Sequence, residues 1–90
     1  MKEYPFISIV TVNYNGKKYL RNCFNSLFSL NYPSQRFEVI MVDNGSCDGS
    51  VEFLRKSFPK ASIICNDVNN YCKANNLGIQ HAKGEYVAII

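Results

Sequence analysis

The hydrophobic pattern opens on a run with no polar face. Positions 6–12 read Phe-Ile-Ser-Ile-Val-Thr-Val just after Pro5, a β-branched stretch of strand length. Apolar residues fall on both alternating faces, which predicts a central strand of a sheet covered on both sides. After the turn formers Asn13-Tyr14-Asn15-Gly16 the period changes, with Leu20, Cys23, Phe24, Leu27 and Phe28 at helical spacing. One apolar stripe on a helix over residues 17–30 follows, stopped ahead of Pro33 because a residue before proline avoids helical backbone.

The alternation repeats. Residues 37–42, Phe-Glu-Val-Ile-Met-Val, give a second buried strand, closed by Asp43-Asn44-Gly45-Ser46. Val51, Leu54 and Phe58 supply the stripe of a short helix, with Asp48 or Ser50 as its expected cap and Asp48 and Glu52 near its positive end. A weaker strand over 61–65 leads through the polar segment 66–70 to a third helix over 71–83. There Ala74, Gly78 and Ala82 stand four apart, a small-residue ridge suited to close approach, and Gly84 is the expected C′ residue. Residues 85–90 begin a fourth strand.

Strand and helix alternating three times, joined by short crossovers, require parallel pairing with right-handed connections. The expected fold class is therefore α/β, half of a doubly wound, Rossmann-like sheet with helices on both faces.

Composition narrows this picture without redirecting it. Ninety residues, 47% hydrophobic and 19% charged, suit one small globular domain and exclude a disordered or fibrous chain. Ten Lys plus Arg against seven Asp plus Glu leave +3, too weak and too scattered along the sequence to predict nucleic acid or an anionic membrane as partner. No apolar run is long enough to span a bilayer, and the first residues lack the pattern of an export signal, so a cytoplasmic protein is expected, any membrane association being left to regions outside this sequence. The cysteines at 23, 47, 65 and 72 have no zinc-site spacing and read as small, mostly buried hydrophobes in a reducing compartment.

In open parallel sheets, ligands bind outside the carboxyl ends of the strands. Those ends carry Val12 to Gly16, Asp43 to Ser46 and Asn66 to Asn70: an aromatic ring, one carboxylate and many amides and hydroxyls. Such an inventory suits a flat heterocycle joined to a hydroxylated, phosphorylated group. Asp43 is placed to accept from a base or ribose, or else bonds its own turn. Tyr14 is placed to stack on a base, or else covers the first helix. Lys73 near the start of the third helix is placed to meet a phosphate, or else is solvated; Asn75 and Asn76 are weaker candidates of the same kind. His81 at that helix's end has a sufficient explanation in the helix dipole. The glycine trio of the dinucleotide fingerprint, the P-loop and the Gly-x-Ser-x-Gly elbow are all missing.

The segments Ile7-Ser-Ile-Val-Thr-Val-Asn-Tyr-Asn-Gly16, Tyr32-Pro33, Phe37-Glu-Val-Ile-Met-Val-Asp-Asn-Gly-Ser46, Asp48-Gly49-Ser50, Lys73-Ala-Asn-Asn-Leu-Gly78 and Ala82-Lys-Gly-Glu-Tyr86 together closely resemble the start of family 2 glycosyltransferases of the GT-A fold. The resemblance spans about residue 6 to 90. It implies the nucleotide-sugar-binding, N-terminal portion of an enzyme that transfers a sugar from a nucleoside-diphosphate sugar to an acceptor with inversion. By position, Val12, Asn13 and Tyr14 resemble the base-contacting segment, Asp43, followed by Asn44, the carboxylate that holds the base, and Lys73 the stretch beside the diphosphate. These six are the candidate nucleotide-binding residues, and no catalytic or metal-binding residue is expected in the chain.

Family members follow the fourth strand with an Asp-x-Asp or similar acidic motif that holds Mn²⁺ or Mg²⁺, whereas this sequence reaches Ile90 without one. The resemblance thus implies a divalent cation for the complete enzyme, and residues 1–90 as a single subdomain cut short of that motif and inactive alone. A second departure is Val68-Asn69-Asn70-Tyr71 where relatives carry Asn-Leu-Gly-Phe, with Asn70 expected in a left-handed conformation. The exposed edge of the last strand predicts self-association. The alternative reading is a non-catalytic half-Rossmann interaction module or an inactive, truncated gene product.

Overall fold

The run after Pro5 becomes β1 (Ile7–Asn13), and it pairs in parallel with β2 (Phe37–Asp43) over its whole length, Ile7 opposite Phe37 and Asn13 opposite Asp43. The computed structural model describes residues 4–90. Beyond β2 lies β3 (Ser62–Cys65), and on the far side of β1 lies β4 (Tyr86–Ile89), so the all-parallel sheet has the order β3-β2-β1-β4. The chain steps outward from β1 to β2 to β3 and then crosses back past β1. Right-handed crossovers in opposite directions put the connecting helices on opposite faces.

Those helices are α1 (Lys17–Phe28), α2 (Ser50–Ser57) and α3 (Tyr71–His81), with a single 3₁₀ turn at Ser34–Arg36 before β2. The double-sided apolar pattern of the central strands is explained by two cores. Ile9, Val39 and Met41 point to one face and pack with Leu20, Phe24 and Leu27 of α1 and Leu54 of α2. Val10, Ile40 and Val42 point to the other and pack beneath Ala74 of α3. Expected strand and helix positions hold, but two helices end early, α1 at Phe28 and α3 at His81. Ser29 and Ala82 cap them through backbone bonds to the last turn.

The small-residue ridge of α3 holds for Ala74 and Gly78, both buried, while Ala82 lies just past the helix in extended backbone. A Cβ placed on Gly78 would lie 2.4 Å from Cγ1 of Val10, so only glycine allows this helix to settle on the sheet. Gly84, expected as a helix C′ residue, has another role: α3 has ended, and the Gly84 N–H donates to Oγ of Ser8 at 2.8 Å. Ser8 in turn donates to Oε2 of Glu38, which also accepts the N–H of Lys83, and this clamp ties the α3–β4 connection to the sheet. Among the described residues no helix is long and apolar enough to cross a membrane.

Candidate functional site

Register decides which polar residues meet. Because Asn13 and Asp43 end paired strands, their side chains are neighbours, and Asn13 Nδ2 donates to Asp43 Oδ1 at 2.9 Å. Oδ1 also accepts from Oγ of Ser46, and Oδ2 accepts from the Ser46 N–H at 2.8 Å. Ser46 Oγ then receives the Asn15 N–H at 2.8 Å, while Asn15 Oδ1 receives the Cys47 N–H. Asn15 adopts φ 52, the left-handed backbone that asparagine tolerates. Asp43 is 2% exposed, so its carboxylate serves as a buried brace between the loops after β1 and β2.

The brace continues to the third loop. Asn66 Nδ2 donates to Oδ1 of Asn44 at 2.9 Å and to the carbonyl of Val68, and Asn44 Nδ2 reaches Oδ1 of Asn69. Asn13, Asp43, Asn44 and Asn66 are all buried. Ser46, which lies in one of the resembling segments but is not a candidate residue, and Asn66 are thus as central to the rim as Asp43. Their shared sequence signal is the density of amides and hydroxyls after each strand.

Lower on the same edge, Asp48 joins two helices. Its Oδ2 accepts the N–H of Lys17, first residue of α1, and its Oδ1 accepts the N–H and hydroxyl of Ser50, first residue of α2. The Ser50 and Lys17 bonds hold the Asp48 carboxyl below its ordinary value. The position immediately before α2 belongs to Gly49 at φ 86, so neither Asp48 nor Ser50 is the cap residue in the expected sense.

Asn70 departs from expectation. Its backbone is extended, φ −132, and its Oδ1 accepts the Lys73 N–H at 3.0 Å, making it the N-cap of α3. The cysteines also depart: Cys47, Cys65 and Cys72 are exposed and only Cys23 is half-buried, where burial raises its thiol. Positions next to the loops override the general preference of cysteine for interiors.

Of the six candidate residues, Val12, Asn13, Tyr14, Asp43 and Asn44 share the carboxyl rim of β1 and β2, with Lys73 in the first turn of α3. They do not line one pocket. Tyr14, 51% exposed, borders an open depression of about 350 Å³ with Val12, Asn13 and Gly16. Asp43 borders another, about 590 Å³, with Gly45, Ser46, Asn66 and Asp67. The bonds from Asn13 and Asn15 to Asp43 and Ser46 run between the two. On α3, Asn75 Oδ1 is buried without a hydrogen-bond partner. Among the described residues no group of three His, Cys, Asp or Glu could hold a metal ion. The rim carboxylates Asp43 and Asp48 are engaged with loop and helix donors, so the residues present do not fit a divalent-cation site.

The model of the family described as "Glycosyl transferase family 2" matches residues 8–90. Among curated relatives, glycosyltransferase AglE of Haloferax volcanii is 33% identical over 96% of this chain and 30% of its own length. The poly(ribitol-phosphate) beta-N-acetylglucosaminyltransferase TarS of Staphylococcus aureus is 28% identical over 92% of this chain and 15% of its own. The chain therefore spans less than a third of the length of these relatives. Among solved structures, residues 1–349 of S. aureus TarS in complex with UDP superpose with a TM-score of 0.79 at 27% identity, covering 94% of this chain and 26% of that one. A mannosyltransferase from Pyrobaculum calidifontis, in complex with GDP-Man and Mn²⁺, shares the fold with a TM-score of 0.83 at 23% identity over 94% of this chain and 26% of its own.

Proposed function

The chain belongs to glycosyl transferase family 2, and from that premise we propose that its carboxyl rim holds the nucleoside diphosphate of a sugar donor, within a longer protein that passes the sugar to an acceptor with inversion. The observation that carries the reading is the buried Asn13–Asp43 bond, which presents Val12 to Tyr14 and Asp43 to Asn44 side by side on one rim. Strand order reverses between β1 and β4, so the loop after β1 lies at the switch point where open sheets bind ligands.

In this reading Tyr14 offers its exposed ring to the base. An ionised carboxylate has about four lone-pair sites, and Asp43 spends three on Asn13 and Ser46, leaving one for a base N–H. Asn44 fixes the neighbouring loop through Asn66. The diphosphate lies toward the first turn of α3, where Lys73 adds a positive charge to the helix N-terminus. UDP bound to the TarS structure and GDP-Man to the mannosyltransferase support the ligand class. We assign any divalent cation, the catalytic base and the acceptor site of the longer protein to residues beyond these ninety. Four unpaired cysteines suit a reducing compartment, in keeping with a cytoplasmic reaction.

Calorimetric titration of UDP and of GDP into the chain tests the reading. Binding that Asp43→Ala abolishes, and that Lys73→Gln weakens for the diphosphate while sparing the nucleoside, is expected. No heat at millimolar nucleotide, or affinity untouched by both substitutions, overturns it.

β4 is exposed at all four of its residues, which supports pairing of its free edge with that of a second copy. Light scattering should show mass rising with concentration, and a strict monomer at the highest concentrations would contradict it.

A further inference from the structure

The basic residues are dispersed along the sequence, but the fold gathers half of them on one surface. Helices α1 and α2 pack on one face of the sheet, and between them they carry Lys17, Lys18, Arg21, Arg55 and Lys56, all exposed. Within these two helices Glu52 is the one acid, and Asp48 sits at their amino ends. α3, alone on the opposite face, offers only Lys73 and His81.

Among the described residues the cations of α1 and α2 have no acid paired with them. Asp48 is occupied by the N–H of Lys17 and by Ser50. Lys18 rests over the ring of Tyr19, Arg21 lies over Phe53, and no ion pair involves any of the five among the described residues. Lys17, Lys18 and Arg21 border an open depression of about 680 Å³ together with Asn15, Asn22, Asp48 and Phe53. Tyr19 beside them is 66% exposed. Tyrosine with one wet and one apolar end is favoured at membrane interfaces.

We propose that the outer face of α1 and α2 docks on an anionic phospholipid surface. Clusters of roughly four to eight Lys and Arg on a helical surface have the density that acidic bilayers attract, and five are present here on two adjoining helices. A bilayer fits better than a single bound anion, because Arg55 and Lys56, in the last turn of α2, lie outside the depression that Lys17, Lys18 and Arg21 border. The depression at the α1 end adjoins the rim through Asn15 and Asp48, so docking would set the nucleotide-binding edge beside the lipid headgroups. The inference uses only this chain's helices and does not depend on the nucleotide reading.

Co-sedimentation with phosphatidylcholine vesicles, with and without one-third phosphatidylglycerol, tests it at about 0.1 M and about 1 M salt, where screening lengths are roughly 10 and 3 Å. Binding should require the anionic lipid and disappear at high salt. Each cation near the surface contributes about fivefold in partition, so Lys18→Gln and Lys56→Gln should each lose about fivefold and the double variant about 25-fold. Lys83→Gln, outside the two helices, should change it by less than about twofold. All three side chains concerned are exposed, and circular dichroism will verify that the variants fold. Equal sedimentation with neutral and anionic vesicles, or a loss for Lys83→Gln as large as for Lys18→Gln, overturns the proposal. Retention on soluble polyphosphate without binding to anionic vesicles does so as well.

Discussion

Two aspartates five residues apart brace this molecule in different ways, and each makes a separate prediction. Asp43 is buried beneath the rim, where Asn13 and Ser46 depend on it. Asp43→Ala strands these donors, and a buried unsatisfied donor costs about 1–3 kcal/mol. Chemical denaturation should therefore show a lower midpoint even without nucleotide. Asp48 acts at the surface, and its carboxyl is held below the ordinary value by the donors of Ser50 and Lys17. A carboxyl depressed on folding contributes stability at pH above its unfolded value, and that contribution fades as pH falls through the folded one. Between pH about 5 and 2, the urea midpoint should fall less steeply for Asp48→Asn than for the unaltered chain; identical acid limbs would remove Asp48 from the account.

The elements were legible to the degree that their chemistry is local. β1 and β2 are covered on both faces, so their sequences are continuous β-branched and apolar runs that need no partner to be recognised. The ridge of α3 was legible for the same reason, and its tightness can be measured. Gly78→Ala forces a methyl against Val10, and overpacking of this kind costs about 1–3 kcal/mol; a midpoint equal to that of the parent would mean the helix sits higher than described. The left-handed backbone expected of Asn70 is not adopted, because a residue that caps a helix with its side chain takes extended backbone, and its Oδ1 accepts the Lys73 N–H. Removing the cap by Asn70→Ala should destabilise by about 0.5–2 kcal/mol. The early ends of α1 and α3, and the capture of Gly84 by Ser8, depend on contacts between distant segments that periodicity does not contain.

At the scale of the molecule, the sequence identified the rim but not its internal wiring. That residues after three strands would gather at one edge follows from parallel order alone. That Asn13 would meet Asp43, and Asn44 would meet Asn66, follows from register, which fixes partners thirty and twenty-two positions apart. The same folding concentrates cations that the sequence leaves apart, and it divides the rim into two depressions bridged by Asn13, Asp43, Ser46 and Asn15. The chain spans 26% of the length of each superposed structure. Recognition of the donor nucleotide is the role proposed for this rim. Amide spectra recorded during a UDP titration address this directly, because they report position as well as affinity. Shifts concentrated at residues 12–16, 43–46 and 70–74 are expected. Shifts confined to other surfaces, or spectra unchanged at saturating nucleotide, would contradict the assignment of this rim.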